Sequence, residues 1–171
     1  MSVTIAFGIL AVILNAIGYV PYIRGILTGA VRPQRVTWGI WTILTTVASV
    51  NQIINGGGWS TLFFGSTTIL VMIVFALSLT RRGIGGASAF DRAVLASSLI
   101  LTVFWVSARD THLSTYIAVA IDGVGALPTI VKAFRRPHTE LYLQWVLAAV
   151  AGACSFAAVT RPATVLYVYP A

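Results

Sequence analysis

Residues 15–21 read Asn-Ala-Ile-Gly-Tyr-Val-Pro, and residues 122–128 read Asp-Gly-Val-Gly-Ala-Leu-Pro. Asn15 and Asp122, Gly18 and Gly125, and Pro21 and Pro128 all match at an offset of 107. Further on the offset falls to 104: Arg32-Pro33-Gln34 meets Arg136-Pro137-His138, and Trp41 meets Trp145, each tryptophan eight positions past its proline. Five ordered matches with a single gap exceed what two unrelated apolar helices give by chance. The chain therefore carries an internal duplication, the feature to establish before any architecture is assigned.

Both copies lie in apolar surroundings. The 171 residues are 58% hydrophobic and only 9% charged, with a mean hydropathy of +0.91, where soluble domains carry about 25% charged residues. The charges collect in short clusters between apolar stretches: Val3 to Ile23, Val36 to Ile54, Trp59 to Leu79, Phe90 to Ala108, Leu113 to Val131 and Leu141 to Val159. Each is close to the roughly 20 residues that a bilayer-spanning helix needs. A seventh stretch begins at Pro162, and its ten residues would cross only about half of a 30 Å core, so the sequence is expected to continue past Ala171. The first stretch lacks a basic n-region and a cleavage site and has Asn15 and Pro21 inside it, so it is expected to remain in the mature protein. Cys154 is the only cysteine, which leaves neither a disulfide framework nor a thiolate metal cluster.

A net charge of +7 in a soluble chain would suggest nucleic acid; here its distribution argues otherwise. Arg24, Arg32 and Arg35 follow the first span, Arg81, Arg82 and Arg92 the third, and Lys132, Arg135 and Arg136 the fifth, so nine of the eleven basic residues share one side. The other side holds Arg109 beside Asp110, and Arg161. By the positive-inside rule the basic side is cytoplasmic and the N-terminus outside, in a plasma or bacterial inner membrane, with anionic lipid head groups as the partner of the excess charge and no role for nucleic acid.

Three spans per copy would put the second copy upside down if the two were joined directly. The fourth span, Phe90 to Ala108, has no counterpart in either copy and restores the orientation. The expected fold is an all-α integral membrane protein of two parallel three-helix bundles joined by a linker helix, with the seventh helix incomplete. Residues 1–82 form the first bundle, 83–110 the linker and 111–171 the second bundle.

This pattern resembles the SWEET, SemiSWEET and PQ-loop transporter superfamily, and is similar to nicotinamide riboside transporters of the Pnu type. The likeness covers essentially the whole chain. Its markers are Gly18-x-x-Pro21, Arg32-Pro33-Gln34 before Trp38 and Trp41, and Gly125-x-x-Pro128 with Arg136-Pro137-His138. At the second loop His138 stands where a full PQ motif has Gln, and no sugar-pocket signature can be laid onto this sequence. The resemblance implies a pocket between the two bundles near the bilayer midplane, opened alternately to each side.

Asp122 is the acidic residue expected deep in a span, where a carboxylate costs roughly 2.5–3.5 kcal/mol. Three readings stand: it faces a wet cavity and binds solute, it is protonated and couples proton movement, or it holds helices together by hydrogen bonding. Asn15 matches it without the charge; packing is the expected role, with the two as opposite walls of one site the alternative. Pro21 and Pro128 each free a carbonyl four residues back, at Ile17 and Val124, and with Gly18 and Gly125 one turn away they suit either gate hinges or static kinks. Trp38, Trp41, Thr45 and Gln52 share one helical face, and Tyr142 and Trp145 repeat the first two. Flat aromatic faces suit a sugar or nucleoside, with Asn51 and Gln52 supplying hydrogen bonds. Trp38, Tyr142 and Trp105 are expected in interfacial belts; Trp41 and Trp145 remain open to either role.

The remaining motifs read as structure. Ser66, Thr67, Thr68, Ser97, Ser98 and Thr102 can bond their own helix backbone, Ala148, Ala149 and Gly152 form a packing surface, and Gly56-Gly57-Gly58 is a turn without the Lys of a phosphate loop. His112 and His138 lack metal-site spacing, no catalytic constellation is visible, and no metal, cofactor or enzymatic activity is expected. The expected function is a secondary carrier or facilitator of a small polar solute such as a sugar, nucleoside, vitamin or amino acid. The alternative is a receptor or sorting protein, similar in architecture to the KDEL receptors, that binds ligand without releasing it to the far side. A homo-oligomer is compatible with either.

Overall fold

The computed structural model describes residues 3–54, 56, 58–108 and 111–159. Among them are six α-helices and one 3₁₀ turn: α1 Val3–Thr28, α2 Arg35–Ile54, α3 Ser60–Ser78, α4 Ala89–Ser107, α5 Thr111–Arg135, the turn Pro137–Thr139, and α6 Tyr142–Ala157. They occupy the six apolar stretches. Two run longer than expected, α1 through Pro21 to Thr28 and α5 through Pro128 to Arg135. The Arg109–Asp110 turn and the stretch beginning at Pro162 lie outside the described residues.

Four of the helices, α1, α3, α4 and the Tyr116–Arg135 part of α5, are long and apolar enough to cross a membrane. In α2, Thr37, Thr42, Thr45, Thr46, Asn51 and Gln52 dilute the apolar run. α6 has 16 residues, about 24 Å of rise against a core of about 30 Å.

Polarity is distributed the opposite way from a water-soluble domain. Asn15, Gln34, Thr37, Gln52, Ser60, Asp91, Lys132, Glu140, Gln144 and Ser155 are buried, while Val20, Ile69, Val103, Phe104, Val106 and Val146 are at least 60% exposed. Apolar surface on this scale is consistent with an α-helical membrane protein, in which the polar groups inside serve as interhelical contacts. The structure contains those contacts. Asn15 Nδ2 donates to Thr67 Oγ1 at 2.7 Å and ties α1 to α3. Ser49 and Thr68 hydroxyls meet at 2.7 Å, Thr68 Oγ1 also donates to the Thr45 carbonyl, and Ser60 Oγ donates to Gln52 Oε1 at 2.9 Å, joining α2 to α3. Ser66 and Thr102 return their hydroxyls to Phe63 and Ser98 carbonyls as expected, whereas the buried Ser98 hydroxyl has no partner among the described residues.

The helices follow one another in space as α4, α5, α2, α3, α1 and α6. Three apolar clusters fill the contacts. One joins Tyr19, Tyr22, Ile26, Val31, Trp38, Val71 and Val74. A second joins Val36, Ile40, Leu44, Val94, Trp105, Ala118 and Ile121, so Trp105, expected in a belt, is instead 6% exposed between α4 and α5. The third brings Ala11, Ala48, Phe63 and Phe64 against Ala151 and Cys154.

The three basic loops meet at one end, laced together by backbone and side-chain hydrogen bonds. Ile84 N donates to Pro33 O and Arg35 N to Ile84 O, both at 2.9 Å, and Arg32 N donates to Thr139 O at 3.1 Å. Arg35 reaches across with its guanidinium and donates to the carbonyls of Ser78, Thr80, Gly83 and Gly85 at 2.8–3.1 Å. It thereby satisfies carbonyls left open where α3 ends. Gln34 is held between Val36 N and Asp91, whose second carboxylate oxygen accepts from Gly86 N at 2.8 Å. Gly85, at φ +80°, passes so close to Gln34 that a Cβ there would lie 2.2 Å from its amide nitrogen.

Candidate functional site

Where α1, α2 and α6 converge near the basic end, five rings form one aromatic box. α1 supplies Tyr19 and Tyr22 from the buried face it shares with Ala11, Asn15, Gly18 and Ile26, α2 supplies Trp38 and Trp41, and α6 supplies Trp145. Trp38 lies 5.4 Å from Trp41, 6.2 Å from Trp145 and 5.5 Å from Tyr22 between ring centres, and Trp41 lies 5.7 Å from Trp145. These are edge-to-face or tilted arrangements that the ring quadrupoles favour.

Trp38 was expected at the membrane–water boundary because it follows Arg35 by three residues. It is 1% exposed. It is enclosed by the rings of Tyr19, Tyr22, Trp41 and Trp145, while the Arg35 charge is turned into the loop lattice by four carbonyls. Tyr142, its counterpart in the repeat, is 61% exposed.

Two of the indoles in the box, Trp38 and Trp41, have N–H groups without an acceptor among the described residues. Gln144 Oε1, next to Trp145 in α6, and the hydroxyl of Thr37, next to Trp38 in α2, likewise have no partner among the described residues, as has the hydroxyl of Thr129 on α5. Gln144 is 1% exposed and Thr37 fully buried. Buried polar groups are normally paired, and each left unpaired costs about 1–3 kcal/mol.

Towards the loops the box rests on a buried ion pair that the sequence reading missed. Lys132 Nζ meets Glu140 Oε1, with both side chains at most 5% exposed. Glu140 Oε2 accepts from Trp145 Nε1 at 3.2 Å and, at a long 3.5 Å, from Tyr22 Oη. Lys132 also donates to the Arg32 carbonyl at 2.5 Å. The available signal was that Glu140 is the only glutamate in the chain and stands in an otherwise basic loop.

The remaining expected residues fall in three places. Asp122 is exposed on α5 beside the Trp41 indole, with which it makes no hydrogen bond. Asp122, Trp41 and Trp145 thus belong to one region. Asn15 is bonded to Thr67 within the first three helices, and α1 and α5 form no extensive interface among the described residues. Asn51 and Gln52 lie at the far end of α2, where Gln52 bonds Ser60.

The paired glycines sit at helix crossings. A Cβ on Gly18 would lie 2.6 Å from Gln144 Oε1 and 3.3 Å from Leu147 Cβ, and one on Gly125 would lie 2.8 Å from Ile40 Cγ2. Both glycines permit close approach, of α1 to α6 and of α5 to α2. Helix continues through Pro21 and Pro128 beside them. Comparison with protein-family models, with curated proteins and with solved structures finds no match for this chain.

Proposed function

We propose that the protein is a secondary carrier or facilitator that moves a small polar solute between its two three-helix units by alternating access. The observation that carries this reading is the pair of crossings at Gly18 and Gly125. Gly18 faces Gln144 and Gly125 faces Ile40; the offset of 107 relates the glycines, and the offset of 104 relates Ile40 to Gln144. Each unit thus presents the same glycine to the same position of the other, as expected for duplicated bundles meeting about an axis along the membrane normal. The likeness to the SWEET and PQ-loop superfamily points the same way.

The chemistry of the box suits the solute class. Two indole donors without an acceptor among the described residues lie in the box, and a ring carrying several hydroxyl, carbonyl or amide groups would accept from them. In the present packing the rings close on one another, so entry requires the units to separate on at least one side. The three hydrogen-bonded loops support a closed state at the basic end, which the positive-inside rule assigns to the cytoplasm.

Reconstitution into liposomes with labelled monosaccharides, nucleosides, water-soluble vitamins and amino acids tests the proposal. Saturable uptake of one class, lost when Trp41 and Trp145 are replaced by alanine, is expected. Binding of a solute at the box without flux would replace the carrier reading by a receptor that retains its ligand.

A further inference from the structure

The basic end holds a second feature that solute movement does not use. Between the segment leading into α4 and the last turns of α5 lies a cleft of about 530 Å³. Ile84, Phe90, Pro128 and Val131 supply apolar lining, and Arg135 and Arg136 line it with charge.

The charges in the lining are not equivalent. Lys132 is spent on Glu140 and the Arg32 carbonyl. Asp91 has both carboxylate oxygens engaged, one by Gln34 Nε2 and one by Gly86 N. The guanidinium groups of Arg135 and Arg136 are exposed and make no hydrogen bond or ion pair among the described residues. The cleft therefore presents two uncommitted cationic forks beside an apolar wall that includes the 45% exposed Phe90.

Guanidinium forks match phosphate oxygens in geometry as well as charge. A small soluble phosphate would leave the apolar wall unused, whereas a phospholipid satisfies both parts at once. The cleft also lies at the helix ends of the basic face, the level at which anionic head groups concentrate. We infer that it is a binding site for an anionic phospholipid, with the phosphate on Arg135 and Arg136 and an acyl chain against Phe90 and Val131. This depends on the helices lying in a bilayer and not on the carrier reading.

The test is thermal unfolding of the purified protein in non-ionic detergent, titrated separately with short-chain phosphatidylglycerol, phosphatidylcholine of the same chains, and inorganic phosphate. Each variant is compared with its own lipid-free Tm, since ligand that binds the native state raises the apparent stability. Phosphatidylglycerol is expected to raise Tm saturably, and the double variant Arg135→Gln/Arg136→Gln to need roughly tenfold more lipid for the same rise. The double variant Arg81→Gln/Arg82→Gln removes the same charge from the same end outside the cleft and is expected to titrate like the parent. Equal stabilisation by phosphatidylcholine, an equal effect of phosphate alone, or equal weakening in both double variants would overturn the assignment.

Discussion

Gly125 on α5 lies so close to Ile40 on α2 that a single methyl group on the glycine would come within 2.8 Å of the Ile40 Cγ2. The matching glycine, Gly18, faces the flexible end of Gln144. The two crossings should therefore respond differently to the same insertion. Alanine gains about 1 kcal/mol of helix propensity at either site, but at Gly125 it meets a β-branched side chain that cannot rotate away, and overpacking costs about 1–3 kcal/mol. Gly125→Ala is expected to lower stability in detergent unfolding, with Ile40→Ala as a partial suppressor, while Gly18→Ala is neutral or stabilising. The reverse order would show that the α5–α2 crossing is looser than described.

Lys132 and Glu140 should behave as a unit. Removing one partner of a buried pair leaves an uncompensated charge and costs about 3–5 kcal/mol, while removing both often costs little. Lys132→Met and Glu140→Leu alone are each expected to destabilise strongly and the double variant to recover much of the loss, measured by unfolding as a double-mutant cycle. Additive losses would mean that the two do not act together.

Arg35 tests whether a loop charge is a clamp or only a topology signal. Its bonds to four carbonyls need a planar, forked donor. Arg35→Lys should therefore lose most of what Arg35→Met loses, about 1.5–3 kcal/mol. A lysine variant as stable as the parent would reduce the role to charge alone.

For Asn15 and Asp122 the repeat gives equivalent positions and the packing gives different surroundings. Asn15→Ala is expected to cost about 0.6–2 kcal/mol through the lost Thr67 bond and to leave solute affinity in the flux assay unchanged. Asp122 makes no ion pair among the described residues. If flux responds to a pH gradient, Asp122→Asn should remove that response while exchange continues. A variant that still follows the gradient would place the coupling elsewhere.

The helices were legible because the apolar runs are long and the charges between them are clustered. Aromatic placement was only half legible. Trp41 and Trp145 could be paired by their spacing from Pro33 and Pro137, but Trp38 was misassigned because proximity to Arg35 in sequence was read as proximity to water. Whether an arginine faces solvent depends on where its fork finds carbonyls, and those lie 43–50 residues away on the α3–α4 connection. Lys132 and Glu140 were obscured for a similar reason: eight positions apart across a 3₁₀ turn, they match no helical period. Asn15 and Asp122 look alike on the sequence because a repeat specifies position, while their neighbours differ: Thr67 on α3 for Asn15, and the Trp41 indole on α2 for Asp122.

The lacing of the basic loops has a consequence for how such a molecule changes over generations. The ties from Ile84 to Pro33, from Arg35 to Ile84 and from Arg32 to Thr139 run from main chain to main chain, and a peptide group is the same whatever residue carries it. Residues that contribute only their peptide groups can turn over as long as spacing is kept, unlike Arg35 and Gly85, so distant kin would inherit much of the knot without its letters, and an inserted or deleted residue would undo what most substitutions cannot.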